Sequence, residues 1–271
     1  MSSASAPYPE GTIERWAFDY IATTSLAHKL APPDPPPIFA PVAAPLRVDR
    51  PGRPPELTVV LRAPKAPGPE AIRVLPKRAA LVHTFFHHEL QAAELMCWAL
   101  LAFADAPEAF RHGLVGIARD EVRHMALYAE HLESLGSRFG AFPVRDWFWQ
   151  RIPLSPSPAH FAAAIGMGLE GGNLDHAPRF AARFRAVGDE LGATIQERIG
   201  AEEIAHVRFS LRWFSRLTGG LDFDTWVAHL PPPLSPLLMR GAPINREARL
   251  AAGFPAAFID ALTRWEPAVP A

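Results

Sequence analysis

The sequence predicts an all-α protein: a four-helix bundle of two helical hairpins joined by one long crossover, with proline-rich N- and C-terminal extensions. Three observations predict it. The 30 prolines among 271 residues crowd into residues 32–76, 143–158 and 231–243, leaving the stretches between them nearly free of ring-imposed breaks. Within those stretches four segments, about 78–104, 107–135, 159–186 and 189–217, carry apolar residues at helical spacing. The connection after the second, GSRFGAFPVRDWFWQRIPLSPSP, is far longer than the turns within each pair, the signature of two hairpins with a crossover. The organisation expected is therefore an extension over 1–77 packing on the bundle, the bundle over 78–217, and a second extension over 218–271.

Taken in order, GTIERWAFDYIATTSLAHKL reads as one short helix ahead of the first proline cluster. PELTVVLRA is a short strand or an extended arm, and the sequence leaves both open. In the first bundle helix, turning HTFFHHELQAAELM at about 100° per residue places Val82, Phe85, Phe86, Ala92, Ala93, Met96 and Leu100 around Glu89. His83, His87, Gln91 and Glu94 gather on the opposite, polar side. The second helix carries RDEVRHMALYAEHL, with Glu121 on the face of Leu114, Ile117, Met125, Tyr128 and Leu132. The third carries AAIGMGLEGGNLDH, with Glu170 following Ala163, Gly166 and Met167, and is expected to break near Gly171, Gly172 and Pro178. The fourth carries RIGAEEIAHVRFSLRWF, with Glu203 beside Ile199, Gly200 and Val207.

The bulk composition excludes several classes. A net charge of -1 argues against a nucleic-acid binder and against a membrane-surface protein. One cysteine, Cys97, allows no intrachain disulfide. The N-terminal MSSASAPYPEGTIERW lacks a secretory leader's basic start and apolar core, and the longest apolar run, Leu95 to Ala104, falls short of the roughly 18 residues of a membrane span. The expectation is a soluble, cytoplasmic protein.

Each bundle helix thus sets one carboxylate on its apolar side, and a buried carboxylate is costly unless paired, hydrogen-bonded or bound to a metal. Glu121 with His124, and Glu203 with His206, are Glu-x-x-His pairs that project from one helix edge. Glu89 precedes Glu121 by 32 residues and Glu170 precedes Glu203 by 33, so the two hairpins repeat one plan. Four carboxylates and two imidazoles pointing inward form the ligand set of carboxylate-bridged di-iron and di-manganese bundles. Glu89, Glu121, His124, Glu170, Glu203 and His206 are the candidate metal ligands. Hard oxygens neutralise the ions, Glu121 and Glu203 can bridge them, and neutral imidazoles complete each shell. Glu94 competes with Glu89 as the first-helix ligand should the helical phase differ. His87, Glu94, Tyr128 and Asp175 are candidate groups orienting the ligands, with Asp175 alternatively capping a helix that continues from HAPRF; His83, His87 and Glu94 form either a second small metal site or, as the plainer reading, a hydrogen-bonded polar face.

These motifs resemble those of the ferritin-like di-iron carboxylate superfamily, which includes rubrerythrin, bacterioferritin and the tRNA-hydroxylating di-iron monooxygenase. ELQA at Glu89 resembles the first-helix ligand motif of those proteins, and DEVRH and EEIAH the second and fourth. A closer resemblance, running from RPPEL at Arg53 to AGF at Phe254, is to a ferritin-like family defined only as a domain of unknown function. The resemblance implies two metal ions, iron or alternatively manganese. It leaves the reaction open, because the superfamily stores iron, reduces peroxides and hydroxylates substrates. Rubrerythrin's cysteine-ligated iron module has no counterpart in a chain with one cysteine. The expected activity is oxidation of a small organic substrate with dioxygen or peroxide, served by an electron-donor protein, in a monomer or small oligomer. The alternative is a non-catalytic iron-binding, detoxifying or storage protein.

Overall fold

The computed structural model describes residues 7–41, 43–62, 67 and 69–267. The first six residues of the N-terminal segment and Ala63 of PELTVVLRA lie outside them. Among the described residues the regular structure is helical, and no helix is long and apolar enough to cross a membrane. The chain divides into two compact units, one up to Pro153 and one from Leu154.

The first unit opens with α1 (Ile13–Ala22) and α2 (Leu26–Leu30). The sequence reads as one helix here. It forms two because Thr12 and Ser25 each cap a start, their hydroxyls accepting from the Arg15 and His28 N–H groups. Among the described residues of PELTVVLRA, Val59 forms a parallel bridge to Val144. A 3-10 turn (Pro69–Arg73) leads into α3 (Leu75–Ala102), which carries proline in its first turn. Pro107 precedes α4 (Glu108–Ser134), and Gly136, at φ 69°, ends it with the Ser137 N–H returning to the Leu132 carbonyl. Helices α3 and α4 form an antiparallel hairpin. Their register is fixed by the Phe85 and Tyr128 rings, 5.8 Å apart, and by Glu89 and His124, 3.8 Å apart.

In the second unit α5 (Pro158–Phe161), capped by Ser157, runs into a π-helix (Ala162–Glu170) and then α6 (Gly171–Arg185). The break expected near Gly171, Gly172 and Pro178 does not occur; the winding changes at Glu170 instead. Pro178 lies inside α6, and the Leu174 carbonyl that its missing N–H frees accepts from Asn245 Nδ2 at 3.2 Å. Helix α7 (Glu190–Thr218) follows, with Asp189 accepting from the Gly192 N–H at its start and Gly219 at φ 82° at its end. Two close approaches lock the second hairpin. A Cβ on Gly166 would come 1.8 Å from Ser210 Oγ, and one on Gly200 would come 2.8 Å from Ala177 Cβ. The remaining helices are α8 (Phe223–Ala228), a 3-10 turn (Pro236–Met239), α9 (Arg246–Ala252) and α10 (Ala256–Arg264).

Candidate metal centre

Each hairpin brings three of the six sequence-derived ligands together. In the first unit, Glu89 from α3 and Glu121 and His124 from α4 offer one ligand atom apiece, all within 4.8 Å of one another. His124 Nδ1 lies 3.1 Å from Glu121 Oε2 and 3.8 Å from Glu89 Oε2. In the second unit, Glu170 from the π-helix and Glu203 and His206 from α7 do the same, with His206 Nδ1 3.3 Å from Glu203 Oε2. All six are buried. The i, i+3 spacing explains the pairing within α4 and α7, since one helical turn carries both side chains to the same edge.

The electrostatics of the first triad are those of a site short of positive charge. Burial, and then the Glu121 carboxylate, push Glu89 well above the usual carboxylate range. Burial works to lower His124, yet hydrogen bonds and attraction from Glu121 and Glu89 raise it to about 11. Both shifts mark a cluster that lacks positive charge, which a metal ion would supply. In the second triad Glu203 Oε2 makes no hydrogen bond, while Oε1 accepts from Asn173 Nδ2 at 3.4 Å. Hard carboxylate oxygens beside imidazole, all buried, suit a divalent or trivalent ion of the iron or manganese type.

Glu94, the competitor of Glu89, is differently engaged. Its Oε1 accepts from Lys29 Nζ at 2.8 Å and Arg53 Nη1 at 2.5 Å, and its Oε2 from Trp149 Nε1 at 2.8 Å. Burial alone would raise its carboxyl, but Arg53 and Lys29 hold it below the usual range. Its side of α3, expected to be a polar face, is buried: His83, His87, Gln91 and Glu94 are each at most 2% exposed. His83 Nε2 accepts from the Gly140 N–H, His87 Nε2 lies 3.1 Å from Asp146, and Gln91 Oε1 accepts from the Phe148 and Trp149 N–H groups. The face therefore ties the segment after α4 to α3.

Of the other residues read as orienting groups, Tyr128 packs its ring on Phe85. Asp175 caps no helix start. It lies within α6, takes two hydrogen bonds from Arg249, and accepts from the Gly241 and Asn245 N–H groups. Neither His87, Glu94 nor Asp175 hydrogen-bonds to a triad residue. Asn173 does, and the apolar periodicity does not single it out. Its position three residues after Glu170, one turn along the same face, is the signal the sequence carries for it.

A family model described as "Protein of unknown function (DUF455)" matches residues 12–260. An uncharacterized protein of Haemophilus influenzae is 29% identical over 212 residues, covering 70% of this chain and 72% of that protein. No solved structure matches the chain.

Proposed function

The chain belongs to the DUF455 family, and from its geometry we propose that it is a ferritin-like di-metal carboxylate oxidoreductase, for which the two triads supply the ligands of two ions. One observation carries the reading: two hairpins 32 and 33 residues in period each bury a lone Glu against a Glu-x-x-His pair. A buried ion pair would account for one such triad. It would not account for the same triad twice, in the same order and at the same helical register, whereas two equivalent ligand sets for two ions do.

Iron is the metal the donor set favours, with manganese the alternative. When bound, the ions would supply activation of dioxygen or peroxide for oxidation of a small organic substrate, drawing electrons from a donor protein. The chain's own part is to supply four carboxylates and two imidazoles and to keep water from the ligands. Leu114, Ile117 and Met125 on α4, and Ile199 and Val207 on α7, are buried beside them. Glu121 and Glu203 are the candidate bridges. His124 and His206 would each give one shell an imidazole donor without adding charge.

The test is anaerobic ferrous loading of the apoprotein, metal counting after removal of free iron, and optical spectroscopy on exposure to oxygen. We expect loading to stop near two irons per chain in a monomer or small oligomer. Uptake of tens of irons per chain would favour storage, and absence of bound metal would overturn both.

A further inference from the structure

The segment after α4 brings two arginines together without an acid between them. Arg145 and Arg151 leave one run of turns, in which the Gln150 N–H donates to the Asp146 carbonyl at 3.1 Å and the Arg151 N–H to the Phe148 carbonyl at 3.0 Å. Their guanidinium groups converge on a single neutral oxygen, Gln150 Oε1. Arg145 donates to it from Nε at 3.2 Å and Nη2 at 2.9 Å, and Arg151 from Nη1 at 3.4 Å. Like charges this close repel; burial, and then Arg145, push the Arg151 guanidinium below its ordinary pKa. No carboxylate among the described residues pairs with either arginine. Asp146, next to Arg145 in the chain, is engaged elsewhere: it accepts from Arg53 Nε at 3.1 Å and Nη2 at 3.0 Å and lies 3.1 Å from His87 Nε2. The arginine pair is nonetheless held in place. Arg151 donates to the Trp147 carbonyl at 3.0 Å and lies 4.1 Å from the centre of the Trp147 ring, while its Nε is buried without a hydrogen-bond partner. The Phe148 and Trp149 N–H groups anchor the same turns to Gln91 on α3.

We infer that Arg145 and Arg151 form a binding site for a phosphate group, free or carried by a small molecule, whose oxygens replace Gln150 Oε1 as the acceptor the two guanidinium groups share. A guanidinium fork matches a tetrahedral oxyanion with two parallel N–H donors. A carboxylate neutralises one arginine of the pair, whereas a phosphate monoester carries about two negative charges near neutral pH and neutralises both. Because the turns already hold the arginines together, the ligand does not have to bring two repelling charges to one place. The site shares no residue with either metal triad, so it stands or falls independently of the di-metal reading.

Isothermal titration calorimetry of the full-length protein with inorganic phosphate and with phenyl phosphate, at low ionic strength, tests this. Wild type is expected to bind at one site per chain. Tighter binding of phenyl phosphate would identify a phosphorylated small molecule as the ligand, and equal affinities would identify free phosphate. Arg145→Ala and Arg151→Ala should each weaken binding about tenfold or more, the loss of a charge-assisted hydrogen bond. Arg151→Lys keeps the charge without the fork and should weaken it as well. Gln150→Glu sets a carboxylate between the two guanidinium groups and should abolish binding, whereas Gln150→Ala, which frees the same N–H groups, should bind at least as tightly as wild type. All three positions are exposed or half-buried, so the variants should fold, and far-UV circular dichroism checks that they do. Absence of saturable binding by either probe would overturn the assignment. So would wild-type affinity in the two arginine-to-alanine variants, or equal losses in Gln150→Ala and Gln150→Glu. Binding of a single-stranded oligonucleotide but of neither small probe would overturn it too, in favour of a nucleic-acid surface.

Discussion

Two buried carboxylates stand five residues apart on α3, and their replacement by glutamine is expected to have opposite consequences. Glu94 and Lys29 are both fully buried and paired at 2.8 Å, and Arg53 and Trp149 complete the carboxylate's partners. Glu94→Gln leaves a buried ammonium facing a neutral amide. Breaking one side of a buried ion pair typically costs about 3–5 kcal/mol, a large share of the roughly 5–15 kcal/mol that holds a domain folded. Burial already lowers Lys29, with Glu94 the main influence restoring it, so removing Glu94 shifts the lysine further toward its neutral form, which limits the penalty. That keeps the cost near the lower figure, about 3 kcal/mol. Glu89 is the reverse case. Burial and Glu121 push its carboxyl well above the usual range, which disfavours the charged form there, so the neutral amide of glutamine should change apoprotein stability by less than about 1 kcal/mol.

Urea unfolding of the metal-free variants at pH 7 reads the first effect, and metal counting reads the second. Glu94→Gln is expected to lose about 3 kcal/mol and keep its metal wherever it is folded; Glu89→Gln is expected to keep its stability and lose metal. The double variant Lys29→Met/Glu94→Leu should be less destabilised than the sum of its single changes, because removing both charges removes the uncompensated one. Equal metal loss from Glu89→Gln and Glu94→Gln, or a Glu94→Gln protein as stable as wild type, would refute the division of roles.

On the proposed two-ion reading, which takes Glu203 as a bridging carboxylate, Glu203→Ala should release both ions together; retention of full metal by atomic absorption would remove Glu203 from the site. Asp146 gives a pH dependence. Burial would raise its carboxyl, but His87 and Arg53 hold it at about 2, against an ordinary 3.8. A group lowered in the folded state contributes stability above its unfolded value, and that contribution, roughly 2 kcal/mol, is lost as pH falls from about 4 to about 2. In Asp146→Asn that part of the acid limb should flatten, and an unchanged acid-unfolding curve would count against the pairing. Gly200→Val should force α6 and α7 apart, because even a Cβ there would come 2.8 Å from Ala177; a loss of about 2 kcal/mol or more is expected in urea unfolding, and wild-type stability would contradict so close a helix crossing.

The Glu-x-x-His pair of each triad, and the face that carries each lone Glu, are legible because what places them is local. Helical period decides which side of α3 carries Glu89, and an i, i+3 spacing decides that Glu121 travels with His124. The winding of the third helix was not legible. Gly171, Gly172 and Pro178 read as breakers, yet Asn245, 71 residues beyond Leu174, supplies the donor that lets the helix continue through Pro178. The same limit governs Glu94. On a helical wheel it is a charge among polar neighbours, which is the pattern of a solvated face. Its burial depends on Lys29, Arg53 and Trp149, which are 65, 41 and 55 residues away in the chain. Glu89 and Glu94 pose the same desolvation problem on the same helix. Periodicity can locate such a carboxylate, but what compensates its charge depends on which distant groups the fold delivers. For Glu94 these are two cationic side chains and an indole N–H. For Glu89 they are a second carboxylate and one imidazole, a set that lacks positive charge until a proton or a metal ion joins it.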